Sequence, residues 1–259
     1  MPSTTPAVIA GQGTIGLELL DQIPDLEAVV VPVGGGGLIA GIGCAIKERR
    51  PGVRLIGVEP AAFPSMTKAL EAHMPVTIPA AATIADGVAV RRVGDLTFEH
   101  AAKYIDEMLT VDDEEIAFGI LRLLEKQKML AEGAGAVGIA ALLQHRTSLH
   151  GKRTAVLVSG GNIDITLLAH IIQRGLVKDG RLVRLRVTLP DHPGALERLT
   201  RIITQQRANI VQAIHDRTYH GVHLGNAQID VTVETRGSDH ADELMTGLRD
   251  SGYVFERVM

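Results

Sequence analysis

Four consecutive glycines, Gly34, Gly35, Gly36 and Gly37, are the feature that most restricts how this chain can fold. They follow an apolar run at residues 28–33 and precede residues 38–50, where apolar side chains recur at helical spacing. This order predicts a strand, a glycine loop and a helix. Unbroken glycine costs backbone entropy, so it is typical of sites where a group approaches the main chain closely. Because the loop opens a helix with unpaired N–H groups, we expect it to bind an anion, phosphate above all.

The residues after this loop predict a second strand at 54–59, and therefore a βαβ unit with parallel strands and a right-handed crossover. They also allow an alternative interpretation. Gly35, Gly37 and Ala40 have the spacing of a dinucleotide fingerprint, and Glu59 ends the second strand. An NAD-type site is therefore the rival hypothesis for the same loop.

A second formal match to that fingerprint is weaker. Gly11, Gly13 and Gly16 have the spacing, but no strand precedes them and the next strand leads into glycines. We interpret residues 11–16 as a loop that enters a helix at 15–20. Residues 63–79 are expected to be irregular, and residues 84–88 to form a turn among small residues.

A second glycine loop follows another buried-type strand. Residues 154–158, a threonine followed by four apolar residues, lead to Ser159, Gly160, Gly161 and Asn162, with a helix expected from 163 to 173. Glu132 precedes a helix predicted at 137–143. The two glycine loops both follow strands, at the carboxyl ends where ligands of open α/β sheets bind.

The hydrophobic pattern of the sequence changes near Gly180. Residues 183–189 alternate between apolar and polar, which predicts a strand with one solvent-exposed face. The following pattern has the order βαββαβ, the ferredoxin-like arrangement. The fold class is therefore α/β, a mostly parallel sheet with flanking helices in residues 1–178 and a ferredoxin-like βαββαβ domain in residues 181–259.

Composition argues against several classes of partner. The net charge is -4, aromatic residues are 3% and Trp is absent, so no nucleic-acid surface is indicated. No apolar run approaches the ~20 residues of a membrane span, and residues 1–6 do not resemble a secretory signal, so we expect a cytoplasmic protein without a membrane partner. The single cysteine, Cys44, is interpreted as a packed small residue.

Five motifs, in order and spacing, resemble the fold-type-II pyridoxal-phosphate enzymes. They are VIAGQGTIG at 8–16, PVGGGGL at 32–38, ADG at 85–87, EGAGA at 132–136 and SGGNID at 159–164. Within that family the chain is similar to the L-threonine and L-serine ammonia-lyases, or threonine dehydratases, and its tail resembles an ACT domain. The resemblance implies pyridoxal 5'-phosphate as cofactor, β-elimination of L-threonine to 2-oxobutanoate and ammonia, a place in isoleucine biosynthesis, and allosteric control by an amino acid.

The resemblance also implies roles for individual residues. The cofactor phosphate would bind at Gly34, Gly35, Gly36, Gly37 and Leu38. Ser159 would hydrogen-bond the pyridine nitrogen, and Glu132 would lie near the ring. Two alternatives stay open: Ser159 could cap a helix together with Asn162, and Glu132 could act through helix-start electrostatics.

Two departures from the family pattern concern catalysis and metal binding. The Ser-x-Lys-x-Arg-Gly-Ala type motif, whose lysine carries the cofactor, and the Ser-x-Gly-Asn-His substrate loop do not occur in this sequence. The lysines present are Lys47, Lys68, Lys103, Lys126, Lys128, Lys152 and Lys178. We therefore name no catalytic residue, expect the counterpart of the family's N-terminal half to be missing, and expect the chain to be inactive alone. Ser65 stands where related serine racemases have a metal-binding Asp six residues after Glu59, so no metal is expected; His220 and His223 are interpreted as solvated loop residues.

The ACT-like tail implies binding of an amino-acid effector between paired domains. Asp191, His192 and Gly194 in the turn into its first helix, and Asn209 at the start of its second strand, are the predicted effector residues. We expect a homo-oligomer through both domains. A module used only for assembly is the alternative for the tail, and a non-catalytic regulator that senses a branched-chain amino acid is the alternative for the whole chain.

Overall fold

The computed structural model describes residues 5–144, 149–216 and 223–258, and the chain divides into two compact units, Met1–Leu168 and Ala169–Met259. The first unit contains, in chain order, α1 (Pro6–Gln22), β1 (Ala28–Pro32), α2 (Gly37–Lys47), β2 (Arg54–Pro60), α3 (Ser65–Ala72), a 3-10 turn (Asp86–Val88), α4 (Asp95–Tyr104), β3 (Glu107–Val111), α5 (Asp113–Arg122), a π-helical turn (Leu123–Gln127), α6 (Gly133–Leu143) and β4 (Thr154–Val156). Helix α7 (Ile165–Lys178) contains the division.

The strands of the first unit form a parallel sheet in the order β3-β2-β1-β4, as the βαβ pattern predicted. Every residue of β1 is buried, so both faces of the sheet are covered. Val29 and Val31 belong to a core with α2, α1 and α4, whereas Val30 lies on the opposite face, where a Cβ atom at Gly138 of α6 would be 3.4 Å from its side chain. The α/β prediction for this part of the chain is confirmed.

The predicted loop at residues 11–16 is wrong, because these residues lie inside helix α1. Pro6 occupies the first turn and Thr5 caps it, accepting a hydrogen bond from the Val8 N–H group at 3.4 Å. Gly13 faces α2, and a Cβ atom there would lie 3.1 Å from the Gly41 carbonyl oxygen. The glycines thus allow α1 and α2 to pack backbone against backbone, and they form no nucleotide-binding loop.

A second correction concerns residues 63–79, predicted to be irregular, which contain helix α3. The Glu59 carboxylate accepts hydrogen bonds from the N–H groups of Met66, at 2.6 Å, and Thr67, at 3.0 Å. These are N–H groups that a helix start leaves without a partner, so Glu59 takes the place of a local cap. Smaller differences occur at element ends: α2 ends at Lys47 and β4 at Val156, and α6 begins at Gly133.

The second unit continues with β5 (Leu182–Pro190), α8 (Ala195–Gln205), β6 (Asn209–Asp216), β7 (Asn226–Glu234), α9 (Ser238–Asp250) and β8 (Val254–Val258). Its antiparallel sheet has the order β6-β7-β5-β8. Val183, Leu185, Val187 and Leu189 of β5 are buried with α8 and α9, and the residues between them face the other side. The predicted βαββαβ arrangement is confirmed. Among the described residues, no helix is both long enough and apolar enough to cross a membrane.

Candidate functional site

The sheet brings the two glycine loops together. β1 and β4 are parallel neighbours, with Val30 opposite Val156, and the Leu157 N–H group donates to the Val30 carbonyl at 3.0 Å. Both strands therefore end at the same edge, and the loops that follow them, at Gly34 and at Ser159, lie side by side there. This edge is where ligands bind in open α/β sheets.

The first loop offers backbone donors at the start of α2. Gly36 is the N-cap residue, with φ of 89° and no side-chain cap. The Ala40 N–H group donates to its carbonyl at 3.0 Å, whereas the N–H groups of Gly34, Gly35, Gly36 and Gly37 have no hydrogen-bond partner within the described part of the chain. Leu38 is half-buried in the first turn. Such a set of unpaired donors at a helix start fits a phosphate group.

Two side chains that the sequence did not point to hold this loop from behind. Thr97, buried in the first turn of α4, donates its hydroxyl to the Gly35 carbonyl at 2.7 Å. A Cβ atom at Gly36 would lie 2.8 Å from Met66 Cε and 3.0 Å from Thr97 Oγ1. The space and the positive φ both require glycine at this position. No local pattern marks Thr97 or Met66, because α3 and α4 meet the loop only in the folded chain.

Glu59 also lies at this edge, fully buried at the end of β2. Burial raises the pKa of its carboxyl group, although hydrogen bonds from Met66, Thr67 and Ser65 oppose that shift. These bonds occupy the carboxylate, including one from the Thr67 hydroxyl at 2.9 Å. Glu59 is thus turned toward α3, which removes the acidic group that the NAD-type alternative needs.

Ser65, the position compared with a metal-binding Asp, lies against the same carboxylate. Its hydroxyl donates to Glu59 Oε1 at 3.4 Å. No group of three or more His, Cys, Asp or Glu side chains that could hold a metal ion occurs in residues 5–144, 149–216 and 223–258. His223 is exposed, and His220 lies outside the described residues.

A continuous path of close contacts joins the first loop to Glu132. A Cβ atom at Gly34 would lie 3.2 Å from the Cα atom of Val88. A Cβ atom at Gly87, the preceding residue, would lie 3.2 Å from the Glu132 carboxylate and 3.0 Å from the Ala134 methyl group. The 3-10 turn Asp86–Val88 therefore lies between the glycine loop and the start of α6.

Glu132 in turn holds the Ser159 loop. Its N–H group donates to the Gly160 carbonyl at 3.2 Å, and its carboxylate accepts from the Asn162 N–H group at 3.1 Å. Gly160 has φ of 95°, and a Cβ atom there would overlap the Glu132 carboxylate. Ser159 is exposed beside these contacts. Glu132 thus holds the loop through two hydrogen bonds, one from its own N–H group and one to its carboxylate.

The capping alternative for Ser159 is wrong. Asp164 accepts a hydrogen bond from the Leu167 N–H group at 3.0 Å at the start of α7. This aspartate, rather than Ser159 or Asn162, therefore caps that helix. The Ser159 hydroxyl is available to a ligand at the sheet edge.

Most of the lysine amines are held by partners outside the two loops. The contacts are Lys47–Asp106 at 2.6 Å, Lys68–Glu71 at 2.7 Å, Lys103–Glu48 at 3.1 Å, Lys128 with the Glu125 carbonyl at 2.8 Å and Lys152–Glu27 at 2.7 Å. None of these partners belongs to the glycine loop or to the Ser159 loop. The contacts hold these five amines in ion pairs or carbonyl hydrogen bonds.

Three of the predicted effector residues lie together in the second unit. Asp191 follows β5, and its N–H group donates to the Gly225 carbonyl at 2.8 Å. The His192 ring lies 3.0 Å from the Arg198 guanidinium, between Nε2 and Nη2. Gly194, with φ of 88°, is the N-cap residue of α8. All three are exposed.

Asn209 lies at the other end of the same sheet. It is opposite Glu234, which is also opposite Leu182 at the start of β5, and its amide donates to the Glu234 carboxylate at 3.5 Å. The turn with the other three residues begins after Pro190, which is opposite Asn226. One unit therefore does not bring the four predicted effector residues together.

The two units match two known families. Residues 1–160 match the family described as pyridoxal-phosphate dependent enzyme, and residues 179–256 match the ACT domain. The L-threonine ammonia-lyase of Thermotoga maritima is 47% identical over 252 residues, which are 97% of this chain and 63% of that protein. The L-threonine ammonia-lyase of Geobacter sulfurreducens is 47% identical over 256 residues, which are 98% of this chain and 63% of that protein.

A solved structure is similar to about two thirds of the chain. The processed form of threonine deaminase isoform 2 from Solanum lycopersicum has a TM-score of 0.62 and 37% identity, covering 66% of this chain and 47% of that one. The chain thus spans less than two thirds of the length of the curated relatives described above. The predicted family resemblance, the ACT domain and the cofactor of the family are confirmed. Because the first match covers residues 1–160 of 259, the chain belongs to the pyridoxal-phosphate dependent enzymes and has an ACT domain toward its C-terminus.

Proposed function

We propose that this chain forms the cofactor-binding and regulatory portion of a pyridoxal-phosphate-dependent L-threonine ammonia-lyase, which converts L-threonine to 2-oxobutanoate and ammonia. The observation that carries the proposal is the row of unpartnered N–H groups at Gly34 to Gly37, in the described part of the chain, at the same sheet edge as the exposed Ser159 hydroxyl. Two curated L-threonine ammonia-lyases at 47% identity support the choice of substrate.

The glycine loop would hold the cofactor phosphate. Its N–H groups lie at the start of α2, where the helix dipole also favours negative charge. Met66 and Thr97 fill the space behind Gly36, so the loop is preformed rather than adaptable. Preformed donors bind phosphate without an ordering cost at the moment of binding.

Ser159 and Glu132 would form the part of the site that holds the pyridine ring of the cofactor. When bound, pyridoxal phosphate supplies an electron sink that stabilises negative charge at the α-carbon of the amino acid, so that the β-hydroxyl can leave. The Ser159 hydroxyl would hydrogen-bond the pyridine nitrogen, and a neutral hydroxyl does not keep that nitrogen protonated as a carboxylate would. Glu132 would keep the Ser159 loop in place through its bonds to Gly160 and Asn162.

The amine that carries the cofactor in this family has no counterpart among the five lysines with described contacts. Lys47, Lys68, Lys103, Lys128 and Lys152 each contact a partner outside the two loops. Because the family's Ser-x-Lys-x-Arg-Gly-Ala type motif does not occur in this sequence either, we expect the 259-residue chain to bind the cofactor without a covalent bond and to leave L-threonine unchanged by itself. The predicted cytoplasmic location stays a prediction.

The experiment is a calorimetric titration of the chain with pyridoxal phosphate, and with pyridoxal, which lacks the phosphate. We expect pyridoxal phosphate to bind at least about tenfold more tightly, because the glycine loop would hold the phosphate that pyridoxal lacks. Ser159→Ala should weaken both ligands by a similar factor, and Ser251→Ala, in the other unit, serves as its matched control. Equal affinities for the two ligands, or no binding of either, would contradict the proposed cofactor site.

Borohydride reduction tests the expected lack of a covalent bond. The cofactor should wash off the reduced protein completely, and intact-mass measurement should show the unmodified chain. A mass increase on one of the seven lysines would show that the chain has its own cofactor-carrying amine and would contradict the expected inactivity.

The ACT domain would bind an amino-acid effector. Since Asn209 and the turn with Asp191, His192 and Gly194 lie at opposite ends of the sheet, the four residues can share an effector only when two ACT domains pair. Titration with isoleucine, valine and threonine, combined with sedimentation, should show binding together with a homo-oligomer. Effector binding without any binding of pyridoxal phosphate would favour the alternative, a non-catalytic amino-acid-sensing regulator.

A further inference from the structure

Thr97 occupies an unusual position for a hydroxyl-bearing side chain. It is completely buried in the first turn of α4, and its hydroxyl is 2.7 Å from the Gly35 carbonyl and 3.0 Å from the Gly94 carbonyl. The Gly94 N–H group lies 3.5 Å from the same Gly35 oxygen, too far for a strong bond. The Thr97 hydroxyl is therefore the principal donor that fixes the Gly35 carbonyl.

Fixing that carbonyl also fixes the direction of a donor. The peptide between Gly35 and Gly36 is planar, and in a trans peptide the C=O and N–H groups point in opposite directions. Because the Gly35 carbonyl points toward α4, the Gly36 N–H group points away from α4. That N–H group has no partner within the described residues.

Glycine on both sides makes this peptide easy to turn over. Gly36 already has φ of 89°, and glycine occupies positive and negative φ at similar cost. A flipped peptide would present the Gly35 carbonyl oxygen, in place of the Gly36 N–H group, to an anion. The Thr97 hydroxyl, helped among the described residues only by the long contact from the Gly94 N–H group, thus keeps the loop in the orientation that attracts phosphate.

We propose that Thr97 is a positioning residue of the phosphate-binding loop, whose hydroxyl holds the peptide between Gly35 and Gly36 so that the Gly36 N–H group faces the cofactor phosphate. The proposal rests on the proposed function of the loop. It assigns to Thr97 no contact with the cofactor, since the threonine acts from behind the loop.

The test compares Thr97→Val, which keeps the shape and removes the hydroxyl, with Thr97→Ser, which keeps the hydroxyl. Calorimetry should show about tenfold weaker binding of pyridoxal phosphate to Thr97→Val, unchanged binding to Thr97→Ser, and unchanged binding of pyridoxal to both. The matched control is Thr235→Val, which removes a buried hydroxyl bonded to the Gly180 carbonyl in the other unit and should leave both ligands unaffected. A purely structural role would weaken pyridoxal together with pyridoxal phosphate.

A measurement on the unaltered chain tests the same role independently. Titration of inorganic phosphate into the nitrogen-15-labelled chain should shift the Gly36 amide resonance more than those of Gly11 and Gly52, which lie outside the loop. No shift at Gly36 would overturn the positioning role. So would equal affinity of Thr97→Val and the unaltered chain, or an equal loss in Thr97→Ser. The two possible failures are distinguishable. If the unaltered chain binds no pyridoxal phosphate, the proposed function is wrong. If it binds pyridoxal phosphate but Thr97→Val binds it equally well, only the role of Thr97 is wrong.

Discussion

The two sheets of this protein carry their polar groups at different places. In the first unit, β1 is buried along its whole length and β2 along all but its first residue, so the functional groups lie in loops beyond the strand ends. In the second unit, one face of the sheet is apolar and the other carries Arg184, Arg186 and Asp230, with Arg186 bonded to Asp230 at 2.8 Å. A parallel sheet covered on both faces has only its edges to offer a ligand, whereas an antiparallel sheet keeps one face in water.

The two units also pack their helices differently. α1 and α2 meet backbone against backbone at Gly13 and Gly41, where the nearest atoms of the facing helix are main-chain atoms. α8 and α9 instead pack on their sheet through side chains such as Leu199 and Leu244. Backbone contact leaves no room for a substituent, whereas a side-chain core tolerates small changes of shape. Steric substitutions should therefore affect the first unit far more than the second.

The largest expected effect tests that difference at Gly41. A Cβ atom there would lie 2.2 Å from the Ile9 carbonyl oxygen and 2.7 Å from the Gly13 nitrogen, so Gly41→Ala forces α1 and α2 apart. We expect a loss of about 3 kcal/mol of unfolding free energy in the first unit. Amide hydrogen exchange, resolved by peptide, should show faster exchange in α1 and α2 and unchanged exchange in β5.

The matched control is Gly11→Ala in the same helix α1. Gly11 is exposed, and a Cβ atom there would meet nothing within 4 Å. The added methyl group should stabilise the first unit by about 0.5 kcal/mol, because alanine loses less backbone entropy than glycine in a helix. If both variants were neutral, the backbone packing of α1 on α2 would be contradicted.

The next effect tests the second unit at His240, a buried side chain at the start of α9. Its Nδ1 atom accepts from the Arg236 N–H group at 3.0 Å, and its Nε2–H group donates to the Gln206 carbonyl at 2.7 Å. His240→Ala leaves both backbone groups without that partner, so we expect a loss of about 2 kcal/mol. Urea unfolding, followed by amide hydrogen exchange in β7 and α9, measures this loss of unfolding free energy.

The exposed His170 in α7 provides the control for His240, since it belongs to the same unit. His170→Ala should change the unfolding free energy by less than about 0.5 kcal/mol. A His240→Ala variant as stable as His170→Ala would show that the side-chain bridge contributes nothing to this unit.

Local signals account for what the sequence predicted correctly. The strand before Gly34, the glycine loop and the helix after it lie within about 20 consecutive residues, and the alternation in residues 183–189 is local to one strand. The sequence therefore predicts that both glycine loops follow the ends of strands. The neighbouring positions of β1 and β4 then brought Gly34 and Ser159 to one edge.

The errors come from interactions between distant residues. Helix α3 is capped by Glu59, which precedes the helix rather than lying at its first turn, so its start carries no usual signal. The glycines of α1 pack on Gly41, far along the chain, and without that partner they resemble a loop. A local signal was available there, because Thr5 followed by Pro6 is a typical helix start. Thr97 has no local signal at all.

The smallest expected effect concerns pH, where the two units should respond with opposite sign. Hydrogen bonds from Arg186, with a further one from Arg184, hold the pKa of Asp230 below its ordinary value of 3.8. Its contribution to stability is therefore present above that value and is lost as the pH falls through the lower folded-state pKa. Burial raises the pKa of Glu59 above its ordinary value of 4.5, so its contribution is present below that value and is lost as the pH rises through the folded-state pKa.

Acid should therefore weaken the second unit while it spares the first. Urea midpoints of each unit, followed by hydrogen exchange between about pH 6 and pH 3, measure the two slopes. Asp230→Asn should reduce the slope of the second unit and leave the first unchanged, because it removes the carboxylate that Arg184 and Arg186 both bond, while Arg186 keeps its bond to Glu256. Glu59→Gln should flatten the slope of the first unit and lower its stability at every pH, since an amide nitrogen cannot accept the N–H bonds of Met66 and Thr67. An equal loss of stability in both units in acid, with neither variant changing its slope, is the contrary result. It would contradict the opposite pH dependence expected for Asp230, on a solvent-exposed sheet face, and Glu59, at a buried strand end.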